Sequence, residues 1–272
     1  MDKIIIEPIT SMKNAFSVAG QNVVITGGNR GLGRGIAQAF AECGANVAIL
    51  CRNEASGNEA AEQLRLLGSR ALAVKCDVGD FDSVLRAKEV VAREFDHIDT
   101  LVNNAGIDGK HGVFDDARLE EFKRVMNVNL DGVAAMIQVF GQWMMDEGRG
   151  GEIINISSIG GQAIGDPRAH PMPSYNASKA ALDHLTRHLS IVMGDYGIRV
   201  NAIAPGPTHS DLDAGLPPSI TQFIDETMPM HRFGEPLEIG ALAVFLASPA
   251  AAQITGVVAN HDGGTMCVGL TF

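Results

Sequence analysis

The chain has 272 residues, 46% of them hydrophobic and 19% charged, with 31 glycines spread along its length. Those proportions exclude a disordered or fibrous polymer and supply enough apolar residues for a large packed domain. The formal net charge of -11, without a basic run, argues against nucleic acid and against an anionic membrane surface as partners.

Residues 1–17 read as an N-terminal tail and 18–272 as a single catalytic domain, since no linker, repeat or composition break divides them. The apolar trio Ile4 to Ile6 lacks the basic leader, long apolar region and cleavage site of a secretory signal. The apolar stretch from Ala241 to Ala259 is broken by Ser248, Pro249, Gln253, Thr255 and Gly256, so no spanning helix is expected. Cys43, Cys51, Cys76 and Cys267 form no C-x-x-C pair, and reduced thiols in a cytoplasmic protein are the expectation.

Taken in chain order, short apolar runs alternate with longer stretches of helical period. Strands are expected at Asn22–Ile25, Asn46–Leu50, Ala71–Cys76, Thr100–Asn103, Glu152–Ser157, Arg199–Ile203 and Val257–Asn260. Helices are expected at Leu32–Cys43, Glu54–Leu67, Phe81–Phe95, Leu119–Glu147 (as two in succession), Tyr175–Met193 and Leu237–Ala247. Alternation of this kind is the pattern of repeated βαβ units, hence an α/β protein with a parallel sheet. Val23, Val24 and Ile25 are apolar without alternation, as strands covered on both faces require. Two long loops, Gly160–Pro173 and Pro205–Pro218, carry three and four prolines, and long loops in compact domains are usually functional.

The first strand runs into Thr26-Gly27-Gly28-Asn29-Arg30-Gly31-Leu32-Gly33 and then an amphipathic helix. Glycines at such a turn let the backbone approach a pyrophosphate, and the helix N-terminus offers it free N–H groups and a positive dipole end. The spacing Gly27-x-x-x-Gly31-x-Gly33 is not G-x-G-x-x-G, so the strand-turn-helix context carries the reading.

Tyr175 and Lys179 are four apart and share a helix face. Lowering a phenol pKa by about three units requires about 4 kcal/mol. An ammonium at about 4 Å supplies about that much at an effective dielectric near 20. In reduction such a tyrosine donates to a carbonyl oxygen, and in oxidation the tyrosinate accepts the alcohol proton.

The segment Gly27 to Gly33 resembles the T-G-x-x-x-G-x-G signature of the short-chain dehydrogenases/reductases, and further motifs follow in that family's order. These are Asn103-Asn104-Ala105-Gly106, Val128-Asn129-Leu130, Ser157-Ser158, Tyr175-x-x-x-Lys179 and Pro205-Gly206. The resemblance spans about Phe16 to Gly264 and implies a doubly wound, seven-stranded Rossmann-type sheet with helices on both faces. It also implies an oxidoreductase on secondary alcohols or ketones, assembled as a homotetramer or dimer. Its catalytic residues would be Asn129, Ser158, Tyr175 and Lys179. Ser158 is preferred to Ser157 because relatives with this pair use the second serine. Asn129 would position a water that relays protons to Lys179, and Lys179 would bind the nicotinamide ribose.

The same resemblance places the cofactor on Gly27, Asn29, Arg30, Gly31, Leu32 and Gly33, on Arg52 and Asn53, on Asp77 and Val78, and on Asn103, Ala105 and Gly106. Tyr175, Lys179, Pro205, Gly206, Thr208 and Ser210 complete that set. Asp77 has a second reading, as a cap for the helix starting near Asp80. Asn104 is read as bracing the sheet. Dinucleotide choice turns on the residue after the second strand, where an acidic side chain would repel a 2′-phosphate. That position is Cys51, flanked by Arg52 and faced by Arg30, so NADP(H) is expected.

His184 and His188 lack a third ligand, and no metal is expected. The gap from Ser158 to Tyr175 is longer than usual in the family and carries Asp166, Arg168 and His170, which either line the substrate mouth, as suits a keto-sugar or polyol, or only extend the surface. The later segment Thr208–Met230, with Leu212, Leu216, Ile220, Phe223, Ile224 and Met228, resembles a lid suited to a hydrophobic ketone such as a steroid. The alternatives are a 3-oxoacyl-carrier reductase, for which Lys123, Arg124 and Arg187 are too scattered to form a docking patch, and a non-catalytic NADP(H) sensor.

Overall fold

A computed structural model describes residues 3–165, 172–209 and 218–268. Seven parallel strands, β1 (Asn22–Thr26), β2 (Asn46–Cys51), β3 (Ala71–Lys75), β4 (Thr100–Asn103), β5 (Gly151–Ile156), β6 (Ile198–Pro205) and β7 (Val258–His261), form one sheet. Their order is β3-β2-β1-β4-β5-β6-β7, which is the doubly wound α/β topology. The chain leaves β1 toward β2 on one side and returns to β4 on the other. The two connections diverge above Thr26 and Asn103, and a crevice at the carboxyl ends is the geometric result.

The apolar runs earn their lack of alternation. Val23 and Ile25 of β1 enter a cluster with Ile36 and Phe40 of α1 (Gly31–Glu42), Leu64 of α2 (Glu54–Leu66) and Ile239 of α9 (Pro236–Ala247). Val24, between them, points the other way, into a cluster with Val84 and Val91 of α3 (Phe81–Glu94) and Leu182 of α7 (Pro173–Gly194). Helices α1 and α9 touch through small residues. A β-carbon on Gly240 would stand 2.6 Å from that of Ala39, so a larger side chain would push the helices apart.

The segment expected as two helices is one helical run with two π turns. It passes through α4 (Glu120–Met126), the turn Asn127–Asp131, α5 (Gly132–Met136), the turn Ile137–Gly141 and α6 (Gln142–Glu147). The later lid segment contains a helix that the sequence pattern had not marked, α8 (Pro218–Glu226); the short α10 (Thr265–Val268) follows β7. Phe223, Ile224 and Met228 pack on one another and on Ile220 and Phe233, while Leu212 and Leu216 lie outside the described residues.

At the end of the sheet away from the crevice, Glu152 and Arg199 sit opposite each other on β5 and β6. Arg199 Nη1 lies 2.8 Å from Glu152 Oε2, and Asn201 donates to Glu152 Oε1 at 2.9 Å. The N-terminal segment touches the body through Ala15, buried under Ala250, and through the Phe16 ring, 6.2 Å from that of Phe245.

Candidate active site

The glycine turn is shaped to leave room above it. Gly27 and Gly31 have φ of +68° and +51°, a left-handed backbone that side chains disfavour. A β-carbon on Gly33 would overlap the Gly27 carbonyl oxygen and the Asn104 amide. Arg30 stands at the N-cap of α1 without a side-chain cap bond, and the first turn has no acidic residue. The first amides of α1 thus lack a capping side chain beside a floor of glycine, the arrangement a pyrophosphate requires.

Asn104 braces this turn: its amide donates to the Thr26 carbonyl at 2.9 Å, while Thr26 Oγ1 accepts from the Asn104 and Ala105 amides. At the end of β2, Cys51 is 5% exposed, and Arg52 and Asn53 beyond it are exposed. The Asn53 side chain accepts from Ser56 N and caps α2, and Asn29 donates to Ser56 Oγ at 2.9 Å. Asp80, not Asp77, caps α3; the Asp77 carboxylate accepts from Gly79 N at 3.0 Å.

At the other end of the crevice, Pro173 occupies the first turn of α7, where its missing N–H costs nothing. Two residues later the helix presents Tyr175, and one turn on Lys179. The Lys179 ammonium lies 5.5 Å from the Tyr175 ring centroid and donates to the Ile156 carbonyl at 2.7 Å. Burial pushes the Tyr175 phenol up to about 12, with a hydrogen bond from Ser158 opposing it and Asp108 adding to it. Burial likewise lowers Lys179 to about 8, against the carboxylates of Asp183 and Asp108. Desolvation thus pushes the Tyr175 phenol in the direction opposite to the one expected from the Tyr-x-x-x-Lys pair.

The two serines have parted roles. Ser158 faces the cleft with Tyr175, where its hydroxyl favours the phenolate, and accepts from Gly160 N at 3.1 Å. Ser157 is buried and turns to the Lys179 carbonyl and to Asp183.

One cleft of about 1270 Å³ joins both ends. Its walls include Gly27, Asn29, Arg30, Gly31, Leu32, Gly33, Arg52, Asn53, Asp77, Val78, Ala105, Gly106, Ser158, Tyr175, Lys179, Pro205, Gly206 and Thr208. Asn103 and Asn129 stand behind this wall. Asn103 is 2% exposed and donates to Asn155, and Asn129 is wholly buried. Asn129 exchanges two hydrogen bonds with the Ile107 backbone, each 2.9 Å, and donates to Ser178. Ser210, Asp166, Arg168 and His170 lie outside the described residues. The sequence reading missed Ile107, Asp108, Lys110 and Arg124, which also line the cleft. Among the described residues no group of three His, Cys, Asp or Glu is placed to hold a metal, and no helix is long and apolar enough to cross a membrane.

Residues 27–266 match the family model described as enoyl-(acyl carrier protein) reductase. The fold superposes on a short-chain type dehydrogenase/reductase from Mycobacterium marinum with a TM-score of 0.86 and 33% identity, over 94% of this chain and 100% of that one. The chain belongs to the short-chain dehydrogenase/reductase family. Among its relatives is the galactitol 2-dehydrogenase of Rhizobium johnstonii, 36% identical over 94% of this chain and 99% of that protein. A 7α-hydroxysteroid dehydrogenase solved with NADH and 7-oxo glycochenodeoxycholic acid is similar at a TM-score of 0.87 and 31% identity, covering 94% of this chain and 98% of that one. As a short-chain dehydrogenase/reductase, the protein is an oxidoreductase acting on alcohols.

Proposed function

We propose that the protein interconverts a secondary alcohol and a ketone with NADP(H), using Tyr175 as the general acid and base. The observation that carries this reading is the single cleft that runs from the glycine turn and Arg30 and Arg52 to Ser158, Tyr175 and Lys179. The bound dinucleotide supplies or accepts the hydride.

The glycine turn and the free N-terminus of α1 fit its pyrophosphate, since the space that a β-carbon on Gly33 would fill is left open. Arg30 and Arg52 suit a 2′-phosphate, and no carboxylate occupies the Cys51 position to repel one. Asp77 and Val78 would border the adenine. Asn129 clamps the Ile107 backbone and, in this reading, would position the water that relays protons to Lys179.

In reduction the neutral Tyr175 hydroxyl donates its proton to the substrate oxygen, with Ser158 donating a second hydrogen bond to the same atom. The Lys179 ammonium stabilises the charge left on the phenol oxygen. In oxidation the same groups run in reverse. The enzyme is further read as a homo-oligomer, for which Ile191 and Val192, 79% and 50% exposed on α7, offer an apolar surface.

The reading is tested by following ketone-dependent oxidation of NADPH and of NADH side by side. Ketone reduction with NADPH preferred supports it. A preference for NADH removes the cofactor assignment, and no ketone or alcohol turnover removes the reaction.

A further inference from the structure

The substrate end of the cleft holds a charged side chain with no role in the proton transfer above. Asp108 lines the cleft together with Tyr175 and Ser158, and it is half-buried. Its backbone is held from both sides. Upstream, Ile107 exchanges two hydrogen bonds with the buried Asn129. Downstream, the Glu121 carboxylate on α4 accepts from the amides of Lys110 and His111 at 2.7 and 2.8 Å. Between them the buried Gly109 packs so closely on the first turn of α7 that a β-carbon there would overlap the Ser174 hydroxyl. Ser174 directly precedes Tyr175. A loop clamped at three consecutive places holds Asp108 in a fixed position beside the reacting tyrosine, as a specificity group must be held.

We propose that Asp108 is a specificity-determining residue that accepts a hydrogen bond from a hydroxyl on the carbon next to the reacting carbinol, so that the preferred substrates are vicinal diols of the polyol or sugar class. The inference rests on the oxidoreductase reading and deepens it. Asp108 shares the wall of one cleft with Ser158, Tyr175 and Lys179, so a substrate bound at the phenol occupies the same cleft as its carboxylate. A carboxylate is an acceptor only, so it pairs with a donor on the substrate. An ammonium donor would meet Lys179 and Lys110 in the same cleft, whereas a neutral hydroxyl meets no such repulsion. A purely apolar ketone would leave the carboxylate without a partner as the cleft fills, and that raises the cost of binding it.

The test compares butane-2,3-diol, butan-2-ol and 3-aminobutan-2-ol as substrates of the full-length enzyme with NADP⁺, in the wild type and in Asp108→Leu and Asp108→Asn. The expected wild-type preference for the diol over the mono-alcohol is about 10- to 100-fold in kcat/KM. In Asp108→Leu that ratio collapses toward one, and in Asp108→Asn, whose amide oxygen still accepts, it stays between the two. A wild-type ratio near one, or a ratio that survives in Asp108→Leu, overturns the inference and leaves the oxidoreductase reading standing. Preference for the amino alcohol overturns the choice of a hydroxyl as the recognised group. No turnover of any alcohol, or of ketones in reverse, overturns the oxidoreductase reading and this inference with it.

Discussion

The Nζ of Lys179 donates to the carbonyl oxygen of Ile156 across 2.7 Å. That bond fixes the end of a side chain only 4% exposed, whose pKa burial lowers to about 8. Such a lysine is an ammonium below that pH and an amine above it. Reductive kcat/KM is therefore expected to fall as pH rises through about 8, because the cation that steadies charge on the phenol oxygen is lost. Oxidation runs the other way. Tyr175, raised to about 12, is almost wholly protonated at neutrality, so the tyrosinate–ammonium form that oxidation needs gains with pH up to about 8 and levels off as Lys179 loses its proton. NADPH absorbance followed in both directions across the neutral and alkaline range checks this, and profiles flat in both directions would contradict it.

A second expectation concerns the turn. Gly33→Ala places a methyl group against the Gly27 carbonyl and the Asn104 amide, both of which hold the end of β1. Overpacking of this kind costs about 1–3 kcal/mol. The variant should lose stability in urea and, separately, show a much smaller rise in Tm on adding NADPH than the wild type shows.

The cofactor assignment has its own test. Cys51→Asp puts a carboxylate at the end of β2, where it would accept from a ribose hydroxyl and repel a 2′-phosphate. The ratio of kcat/KM for NADPH over NADH is expected to fall about 10- to 100-fold, the effect of about 1.4 to 2.8 kcal/mol. An unchanged ratio would mean that the 2′ position lies elsewhere.

The sheet and most helices were legible because burial on both faces leaves its mark on every strand residue: Val23, Val24 and Ile25 are all apolar because each has a helix above it. The glycine turn and the Tyr175–Lys179 pair were legible because their chemistry dictates residue type and spacing. The π turn at Asn127–Asp131 was not, since one widened turn inside a helix changes no hydrophobic period enough to be read. Asp108 was hidden for a related reason. Its place beside Tyr175 is made by Glu121, Asn129 and Ser174, contacts between segments far apart in the chain. The upward push that burial exerts on the phenol was not legible either, because the pair's spacing carries no information about desolvation.

The Glu152–Arg199 pair predicts a stability effect remote from the cleft. Arg199→Met leaves the Glu152 carboxyl, 1% exposed, with the Asn201 amide as the polar group against it. Breaking a buried pair on one side costs about 3–5 kcal/mol. Urea unfolding should show that loss, while KM for NADPH in whatever enzyme remains folded stays within about twofold, since sites far apart with no shared partner act independently.

The most direct measurement for the central claim is turnover by Tyr175→Phe alongside NADPH binding followed by fluorescence. The substitution removes one hydroxyl and keeps the ring. Binding is expected to persist while kcat falls by about 10²- to 10⁴-fold, the range of a lost general acid or base. Retained binding with turnover near that of the wild type would contradict the account.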